Sequence, residues 1–391
     1  MLKLNTSISS QINRSMVLSV IHRNPLISRA LIAEQTGLDR SAITHILKEL
    51  LERQLVEEVE EGKASARGGR RPVHLRVRHS ARSLIAVEIG IEELNLAITD
   101  LAGTVLDRLT FRVKRRDDPM KLLFRAIEAA RDTNPARFEQ VIAIAVSCPG
   151  IIEHENGWIL LNLYHNWRHI NIKDPLEERF GKPVFLENDA NAAALAEWSH
   201  HEAQGSGFDS LMYLMIRGRG TGPDLPLGIG GAFVQNGRLW HGSHHCSGEI
   251  APAIVRRFTR ILRERDLMDM VSTPDGQNAL TLLMKAVEKG DRKATDAMIA
   301  ISDVVGRFLA ELAAFMDPDA IVICIIPPEN SAPFTEALER DFRKHYGVAG
   351  LGRVRFVEAA RQAEAALEGL VALTLEHVFI RDRTRPSLLF A

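Results

Sequence analysis

The hydrophobic positions near the amino end of the chain recur at helical spacing and predict three short helices. The third helix, at residues 40–53, carries one apolar stripe made of Ile43, Ile46, Leu47, Leu50 and Leu51. Asp39 precedes this helix directly and is typical of an N-cap. The second helix begins at Ser28 and ends at Gly37, and the first spans residues 13–22. Three helices in this order predict a helix-turn-helix unit.

The polar face of the third helix carries side chains that suit contact with DNA. A guanidinium, two hydroxyls, an imidazole and an ammonium group lie on it, namely Arg40, Ser41, Thr44, His45 and Lys48. Ser28, at the start of the second helix, is a further candidate contact. Groups of these types bind phosphates and base edges in the grooves of a duplex. The segment therefore predicts a reader of double-stranded DNA.

A two-stranded wing is predicted after the third helix, because residues 55–60 and 72–78 alternate between apolar and polar positions. The tip between them reads GKASARGGRR and offers four cations to phosphates or a narrow minor groove, namely Lys63, Arg67, Arg70 and Arg71. The alternative is a solvated basic hairpin without a partner. Residues 1–80 hold 13 Lys or Arg against 8 Asp or Glu, a net charge of +5, whereas the whole chain carries −1. This asymmetry favours a winged helix-turn-helix that binds DNA.

Strand and helix patterns alternate beyond residue 80, which predicts an α/β fold. The predicted strands form a hairpin at residues 84–99, a core strand at 141–147, a hairpin region at 211–234 and a strand at 320–325. The predicted helices cover residues 120–132, 189–200, 279–289, 292–316 and 362–377. We expect a DNA-binding domain at residues 1–80 and a larger domain at 81–391. The larger domain would have two lobes, 81–200 with the C-terminal helix, and 201–360.

The composition is that of an ordinary globular protein, with 46% hydrophobic and 25% charged residues. No apolar run approaches the roughly 20 residues that cross a bilayer, and the amino end lacks the apolar core of a secretion signal. Three cysteines, Cys148, Cys246 and Cys324, lie far apart and favour neither a disulfide framework nor a zinc cluster. These features predict a cytoplasmic protein that does not act at a membrane.

Several motifs resemble those of the ROK family, which groups bacterial sugar kinases with sugar-responsive repressors. The run LENDANAAALAEW at residues 186–198 is the most specific of them. Weaker ones are the hairpin at residues 86–103, the proline-glycine turn in AIAVSCPGII, the segment NGRLWHGSHHCSGEI, and GRRP at residues 69–72. The resemblance implies an actin-like, hexokinase-like fold of the ribonuclease H type, with a sugar cleft between two lobes. It also implies dimers or higher assemblies.

The resemblance also implies which residues bind a carbohydrate. A sugar presents many hydroxyls and needs several convergent acceptors and donors. Glu187, Asn188 and Asp189 lie between a predicted strand and a helix, and Glu249 would approach from the other lobe. Asp189 matches the residue that removes the hydroxyl proton in the family's kinases, although it also suits a helix cap. Asn166 is a further candidate for the same cleft.

The chain departs from the family's kinase pattern where ATP would bind. Phosphate clamps need glycine loops with a hydroxyl or a cation. The first clamp region, residues 88–92, instead contains Glu88 and Glu92 and no hydroxyl. The second, RGRGTGPDLPLGIGG, contains two prolines that remove amide donors, and ICIIPPEN replaces the glycine pair near the adenosine. We therefore expect no ATP, no other cofactor and no catalytic residue.

A structural zinc site is not expected either. The position of the family's zinc-binding histidine, which also contacts the sugar, is Pro252 here, and no cysteine pair follows it. His244, His245 and Cys246 are adjacent in the sequence and favour a loop with solvated imidazoles.

These features predict a DNA-binding repressor of carbohydrate-related genes, controlled by a sugar or related small molecule in a degenerate kinase cleft. The expected partners are an inverted-repeat operator, a carbohydrate effector and a second copy of the chain. One alternative is an active ATP-dependent sugar kinase with an appended DNA-binding head. Another is a regulator whose large domain has lost its small molecule and answers to a protein partner.

Overall fold

The structure is a computed structural model that describes residues 6–60, 73–217, 228–271, 279–326, 331–347, 353–362, 364–379 and 387–390. Four sheets organise these residues. A three-stranded sheet belongs to the amino-terminal unit, and two five-stranded sheets with a small three-stranded sheet belong to the remainder. The alternation of strands and helices agrees with the predicted α/β class.

The amino-terminal unit consists of three helices and three strands. They are α1 (Thr6–Arg23), β1 (Ile27–Ser28), α2 (Arg29–Thr36), α3 (Arg40–Glu52), β2 (Val56–Glu60) and β3 (Val73–Val77). The sheet order is β1-β3-β2, and all its pairs are antiparallel. Leu18, Leu47 and Leu75 are fully buried and join the helices to the sheet. The predicted helix ends are confirmed, except that the first helix begins at Thr6.

The local chemistry explains where these helices begin and end. The Ser28 hydroxyl accepts the amide of Leu31, and Gly37 ends α2 with a left-handed φ of 71°. The Asp39 carboxylate accepts the amides of Ser41 and Ala42 at the start of α3. These bonds satisfy amides that have no partner within the helix, so the turn between the two helices is fixed.

A 3₁₀ turn at His79–Ala81 leads into the first large sheet. This part contains β4 (Ser83–Ile89), β5 (Glu93–Asp100), β6 (Val105–Arg112), α4 (Pro119–Thr133), α5 (Pro135–Glu139), β7 (Val141–Cys148), α6 (Lys173–Phe180) and β11 (Val184–Asn188). A small sheet of β8 (Ile151–Glu153), β9 (Trp158–Asn162) and β10 (Trp167–Asn171) is inserted between β7 and α6. The large sheet has the order β11-β7-β4-β5-β6, and β4, β7 and β11 are parallel.

The second large sheet follows α7 (Asp189–Ala203). It contains β12 (Ser210–Arg217), β13 (Gly228–Gln235), β14 (Arg238–Leu239), β15 (Ala320–Ile326) and β16 (Arg355–Glu358) in the order β14-β13-β12-β15-β16. Its helices are α8 (Ala251–Glu264), α9 (Met268–Val271), α10 (Ala279–Glu288), α11 (Arg292–Met316) and α12 (Ala332–Tyr346). Both large sheets start with an antiparallel meander of three strands and continue with two strands parallel to its first strand, so they share one topology.

Two helices connect the sheets, α7 and α13 (Ala365–Val378), and they pack closely against each other. One face of α7 belongs to the core of the second sheet, while Ala192 joins the core that contains α13 and the first sheet. A β-carbon on Gly369 would lie 1.7 Å from the carbonyl oxygen of Ala192, so only glycine permits this approach. The two helices therefore form the joint between the lobes.

Candidate effector cleft and nucleic-acid interface

The third helix presents its polar face to solvent. Arg40, His45 and Lys48 are exposed, and Lys48 lies 3.8 Å from Glu52. The hydroxyls of Ser41 and Thr44 donate to the Asp39 carboxylate and the Arg40 carbonyl, at 2.6 and 2.8 Å. The hydroxyl group of Ser28 caps α2. Thus two cations and an imidazole are exposed to a duplex, whereas the three hydroxyls are engaged in hydrogen bonds at the start of α2 and in the first turn of α3.

The wing strands carry acidic side chains, which oppose the positive charge of residues 1–80. Glu57 pairs with Arg76 at 2.5 Å, and Glu58 pairs with Arg29 at 2.6 Å. Each pair neutralises one carboxylate with one arginine, so these two glutamates oppose Arg29 and Arg76 and leave the other cations of the unit unaffected. The wing-tip residues Lys63, Arg67, Arg70 and Arg71 lie outside the described residues, so their contact with DNA stays a prediction.

Asp189 is the first residue of α7 and points into the space between the two large sheets. Its Oδ2 lies 3.0 Å from Nη2 of Arg217, the last residue of β12, and its Oδ1 accepts the amide of Ala190. The same Nη2 lies 3.8 Å from Glu88 on β4. The three side chains are between 7% and 18% exposed. A charged cluster is thus enclosed where strands of both sheets end.

The electrostatics of this cluster follow from burial and from the pairing of opposite charges. Burial raises the pKa of Glu88 to about 7, although the positive charge of Arg217 opposes that rise. Burial lowers the pKa of Arg217, but the charges of Asp189 and Glu88 outweigh burial and raise it overall. Arg217 is therefore a permanent cation between two carboxyl groups, one of which titrates near neutral pH.

Glu187 and Asn188 are engaged with the protein itself. Glu187 accepts the Asn188 amide, Nδ2 of Asn191 and Nε2 of His241, each at 2.8 Å. Burial raises the pKa of Glu187, but these hydrogen bonds outweigh burial and lower it overall. Asn188 caps α7 through its Oδ1 and donates Nδ2 to the Gly150 carbonyl at 2.9 Å. Asn188 thus fills the capping role that the sequence also allowed for Asp189.

Glu249 reaches the cluster from the loop before α8. The residue as a whole is exposed, but protein atoms around the carboxylate partly desolvate it, and this desolvation together with the negative charge of Asp189 raises the pKa of Glu249. Gly248 holds this loop against β13, because the Gly231 amide donates to the Gly248 carbonyl at 2.9 Å. A β-carbon on Gly248 would lie 1.9 Å from the Gly231 carbonyl oxygen. The backbone fit therefore fixes the position of Glu249.

Asn166 lies in the turn between β9 and β10, with a left-handed φ of 59°, and its side chain is exposed. Asn162 is the buried amide of this hairpin. It donates Nδ2 to the Pro149 carbonyl and accepts the His165 amide. Contact between Asn166 and an effector stays a prediction, and Asn162 is the amide that fixes the hairpin beside the proline-glycine turn.

A group of imidazoles lies beside Glu187. His154 stacks on His241 with ring centroids 3.7 Å apart, and His245 lies edge-on to His154 at 5.7 Å. Burial and the neighbouring His241 lower the pKa of His154. Within the described ranges, no set of three or more His, Cys, Asp or Glu side chains has an arrangement that would hold a metal ion. The described helices likewise include none that is long and apolar enough to span a bilayer.

Sequence reasoning identified Asp189 and Glu249 but missed Arg217 and His241 as members of this cleft. Arg217 follows an apolar strand directly, and a charged residue at the end of a buried strand is a signal that could have found it. His241 has no such local signal, since its partner Glu187 lies 54 residues away in the sequence. The second clamp region lies largely outside the described residues.

Comparisons with known proteins agree with this architecture. A family model described as ROK family matches residues 84–376, and one described as winged helix-turn-helix DNA-binding matches residues 12–57. The xylose repressor of Caldicellulosiruptor bescii is 23% identical, with the match covering 95% of this chain and 97% of that protein.

Two solved structures extend the comparison to the fold. A ROK family transcriptional regulator, a homologue of the Escherichia coli MLC protein, matches with a TM-score of 0.76 and 22% identity, covering 94% of this chain and 96% of that one. A ROK hexokinase from Thermus thermophilus matches with a TM-score of 0.58 and 25% identity, covering 74% and 97%. The expected hexokinase-like fold with an amino-terminal winged helix-turn-helix is confirmed. Because the family model covers well over half of the residues, the chain belongs to the ROK family.

Proposed function

We propose that this protein is a transcriptional repressor that binds an operator through α3 and the wing and responds to a carbohydrate in the cleft. One observation carries the proposal. The chain combines the capped helix α3 with a sugar-kinase-like cleft, and in that cleft Asp189 is already ion-paired with Arg217. A general base must be free to accept the proton of the substrate hydroxyl. A carboxylate held by an arginine instead suits binding without reaction.

The mechanism that we propose is a change in lobe closure. A sugar bound by Asp189 and Glu249 favours one arrangement of the lobes, and α7 and α13 pass that arrangement to the amino-terminal unit. Two copies of the chain bind an inverted repeat whose half-sites lie one or two helical turns apart. The coupling is no larger than the difference in the sugar's affinity for the two arrangements. The relative named a xylose repressor places aldopentoses first among the sugars to test.

The test is a selection of bound sequences from random duplex DNA, followed by release of the selected complex with pentoses, hexoses and amino sugars. Arg40→Ala is expected to weaken binding by about 10- to 100-fold, because a cation at the start of the reader helix is lost. Arg263→Ala, a matched change at an exposed position of α8, is expected to leave the affinity within about twofold of wild type. Full affinity in Arg40→Ala would contradict the assignment of the reader helix.

The effector site is tested in the same assay. Asp189→Ala is expected to lose its response to the releasing sugar, so that it binds the same fraction of the selected DNA with and without that sugar. Normal release of Asp189→Ala would contradict the cleft as the effector site. Wild-type protein that binds no duplex at low salt, yet phosphorylates a hexose with ATP in an Asp189-dependent manner, would establish a kinase instead.

A further inference from the structure

Arg217 joins three parts of the molecule that meet at the cleft. It ends β12 of the second large sheet, Glu88 lies on β4 of the first, and Asp189 begins the connecting helix α7. The Arg217 guanidinium contacts both carboxyl groups through the same nitrogen, at 3.0 Å from Asp189 and 3.8 Å from Glu88. The cluster is therefore a bridge between the lobes.

The enclosure of this bridge sets it apart from an ordinary surface ion pair. The side chains of Glu88, Asp189 and Arg217 are 10%, 7% and 18% exposed. Charges in such a site are poorly screened by solvent, and removing one partner leaves another buried and uncompensated. Breaking the bridge without supplying new partners is consequently costly.

Arg217 and a ligand hydroxyl compete for the same oxygen of Asp189. Oδ1 accepts the Ala190 amide, and Oδ2 is the oxygen that faces Arg217. A sugar hydroxyl that donates to Oδ2 therefore approaches an oxygen that already pairs with a cation, and the guanidinium crowds that approach. The Nε atom of Arg217 is buried and has no hydrogen-bond acceptor among the residues that the structure describes. The closed bridge thus leaves one buried donor unsatisfied within the described part of the chain, which lowers the free energy needed to open it.

We propose that Arg217 is an internal competitor of the effector: it ties the second lobe to Glu88 and Asp189 in the free protein, and a neutral polyhydroxyl ligand displaces it from Asp189. The inference rests on the proposed function, in which the effector binds at Asp189. Ligand binding then replaces the contact between Asp189 and Arg217 with one between Asp189 and the ligand, which releases the second lobe from the first. A bound ligand therefore changes the arrangement of the lobes. The apparent affinity of the ligand is its intrinsic affinity multiplied by the fraction of molecules in which the bridge is open.

The test uses Glu88→Gln, which keeps the shape of the side chain and removes one end of the bridge without touching Asp189. Arg217→Lys is the second variant, because the terminal nitrogen of lysine lies one bond nearer the backbone than Nη2 of arginine and so does not reach both carboxyl groups from the same position. Glu128→Gln is the matched control, since Glu128 pairs with Arg179 in a partly exposed position of the first lobe. All proteins are measured at pH 8, where Glu88 is ionised.

Two readouts are needed. The first is the dissociation constant of the sugar that releases the selected operator, measured by calorimetry. Glu88→Gln and Arg217→Lys are expected to bind it on the order of tenfold more tightly than wild type, because the closed bridge no longer opposes binding. Glu128→Gln is expected to match wild type.

The second readout is the distance between lobes in the ligand-free protein, from spin labels at Glu178→Cys on α6 and Lys285→Cys on α10. Cys246→Ser removes the exposed native thiol, while Cys148 and Cys324 are buried. A broader or longer distance distribution in both bridge variants is expected. A distribution identical to that of wild type, or unchanged or weaker sugar binding, would overturn the proposal. If wild type binds no sugar, the proposed effector function fails, and the ligand-free distances still decide whether the bridge exists.

Discussion

At the scale of single residues, the cleft is governed by how its carboxyl groups are paired. Glu187 is satisfied by three donors, and Asp189 faces Arg217. Glu88 is the exception, because its contact with Arg217 is longer, at 3.8 Å, and burial dominates its chemistry. The pKa of Glu88 therefore depends mainly on how completely the cleft excludes water from its carboxyl group.

The raised pKa of Glu88 makes stability depend on pH. Burial raises it from an ordinary value of 4.5 to about 7. Between these values the folded protein holds a proton that the unfolded chain has released, so stability falls as the pH rises. The contribution of Glu88 to the free energy of unfolding is fully present below pH 4.5. It falls by about 1.4 kcal/mol per pH unit above that value and is lost as the pH rises through 7. Urea unfolding from pH 4.5 to 8, followed by tryptophan fluorescence, measures it.

Glu88→Gln isolates this contribution, because the amide does not titrate. The free energy of unfolding of wild type minus that of Glu88→Gln is expected to decrease by about 3 kcal/mol between pH 4.5 and 7 and then to level off. Glu128→Gln controls for loss of a carboxylate elsewhere and is expected to show a nearly constant difference. A constant difference for Glu88→Gln as well would mean that Glu88 is solvated in the folded protein.

Much of the residue-scale picture follows from local sequence, and its tertiary part does not. Asp39 and Ser28 were predictable caps because an N-cap acts on amides two or three residues away. The Arg217 bridge was not predictable, because it requires β12 and β4 to end beside α7. Local spacing also left the roles of Asn188 and Asp189 open, and only the folded geometry assigns the cap to Asn188.

At the scale of elements, the joint between the lobes is the crossing of α7 and α13. Ala192 and Gly369 lie at the closest approach, where the backbone of one helix contacts the other. Small residues at such a crossing let the helix axes approach, and the contact then tolerates no added atom. Motion between the lobes must therefore keep this contact and occur around it.

Gly369→Ala is expected to lower the free energy of unfolding by about 3 kcal/mol, because the new methyl group would lie 1.7 Å from the Ala192 carbonyl oxygen. The corresponding fall in Tm is roughly 6–12 °C for a domain of this size, measured by differential scanning calorimetry. Gly207→Ala is the matched control, since its β-carbon would meet only the flexible end of Glu202 at 3.1 Å. Equal Tm values for the two variants would contradict a tight crossing.

The predicted elements agree with the structure where a segment is long and strongly periodic. The helix predicted at residues 292–316 coincides with α11, and the hairpin predicted at 84–99 coincides closely with β4 and β5. The small sheet β8–β10 was not predicted, because strands of three to five residues carry too few alternating positions to stand out. The helix α8 was not predicted either, although its apolar residues follow helical spacing and are a local signal for it.

At the scale of the whole molecule, the carboxyl end of the chain ties the amino-terminal unit to the first lobe. The Ser387 amide donates to the Ser15 hydroxyl at 2.8 Å, and Arg53 donates to the Leu389 carbonyl at 2.9 Å. The Arg53 guanidinium also lies 5.1 Å from the centre of the Phe390 ring. Leu389 and Phe390 are buried in the core that the amino-terminal helices share with α13. This contact supplements the single covalent connection at residues 79–82.

A second contact of the same kind lies at the end of α13. Phe379 stacks on His22 of α1 with ring centroids 3.8 Å apart. The residues that follow Asp189 along α7 pack on α13, and α13 leads to this stack. A continuous set of packed elements thus lies between the cleft and the amino-terminal unit, and the proposed coupling of sugar binding to DNA binding would pass through it.

Phe390→Ala tests whether the contact of Phe390 with Arg53 transmits the effect of sugar binding to the amino-terminal unit. Loss of the ring removes the cation–π contact with Arg53 and part of the shared core, so the amino-terminal unit is expected to move more freely on the first lobe. Trypsin is then expected to cleave at Arg78 or Arg82 several-fold faster than in wild type, and the releasing sugar is expected to free less operator. Phe315→Ala, an equal truncation at a ring that is 83% exposed on α11, should change neither quantity. Wild-type cleavage and wild-type release in Phe390→Ala would show that the Phe390 contact does not carry the signal, which leaves the Phe379–His22 stack and the linker at residues 79–82.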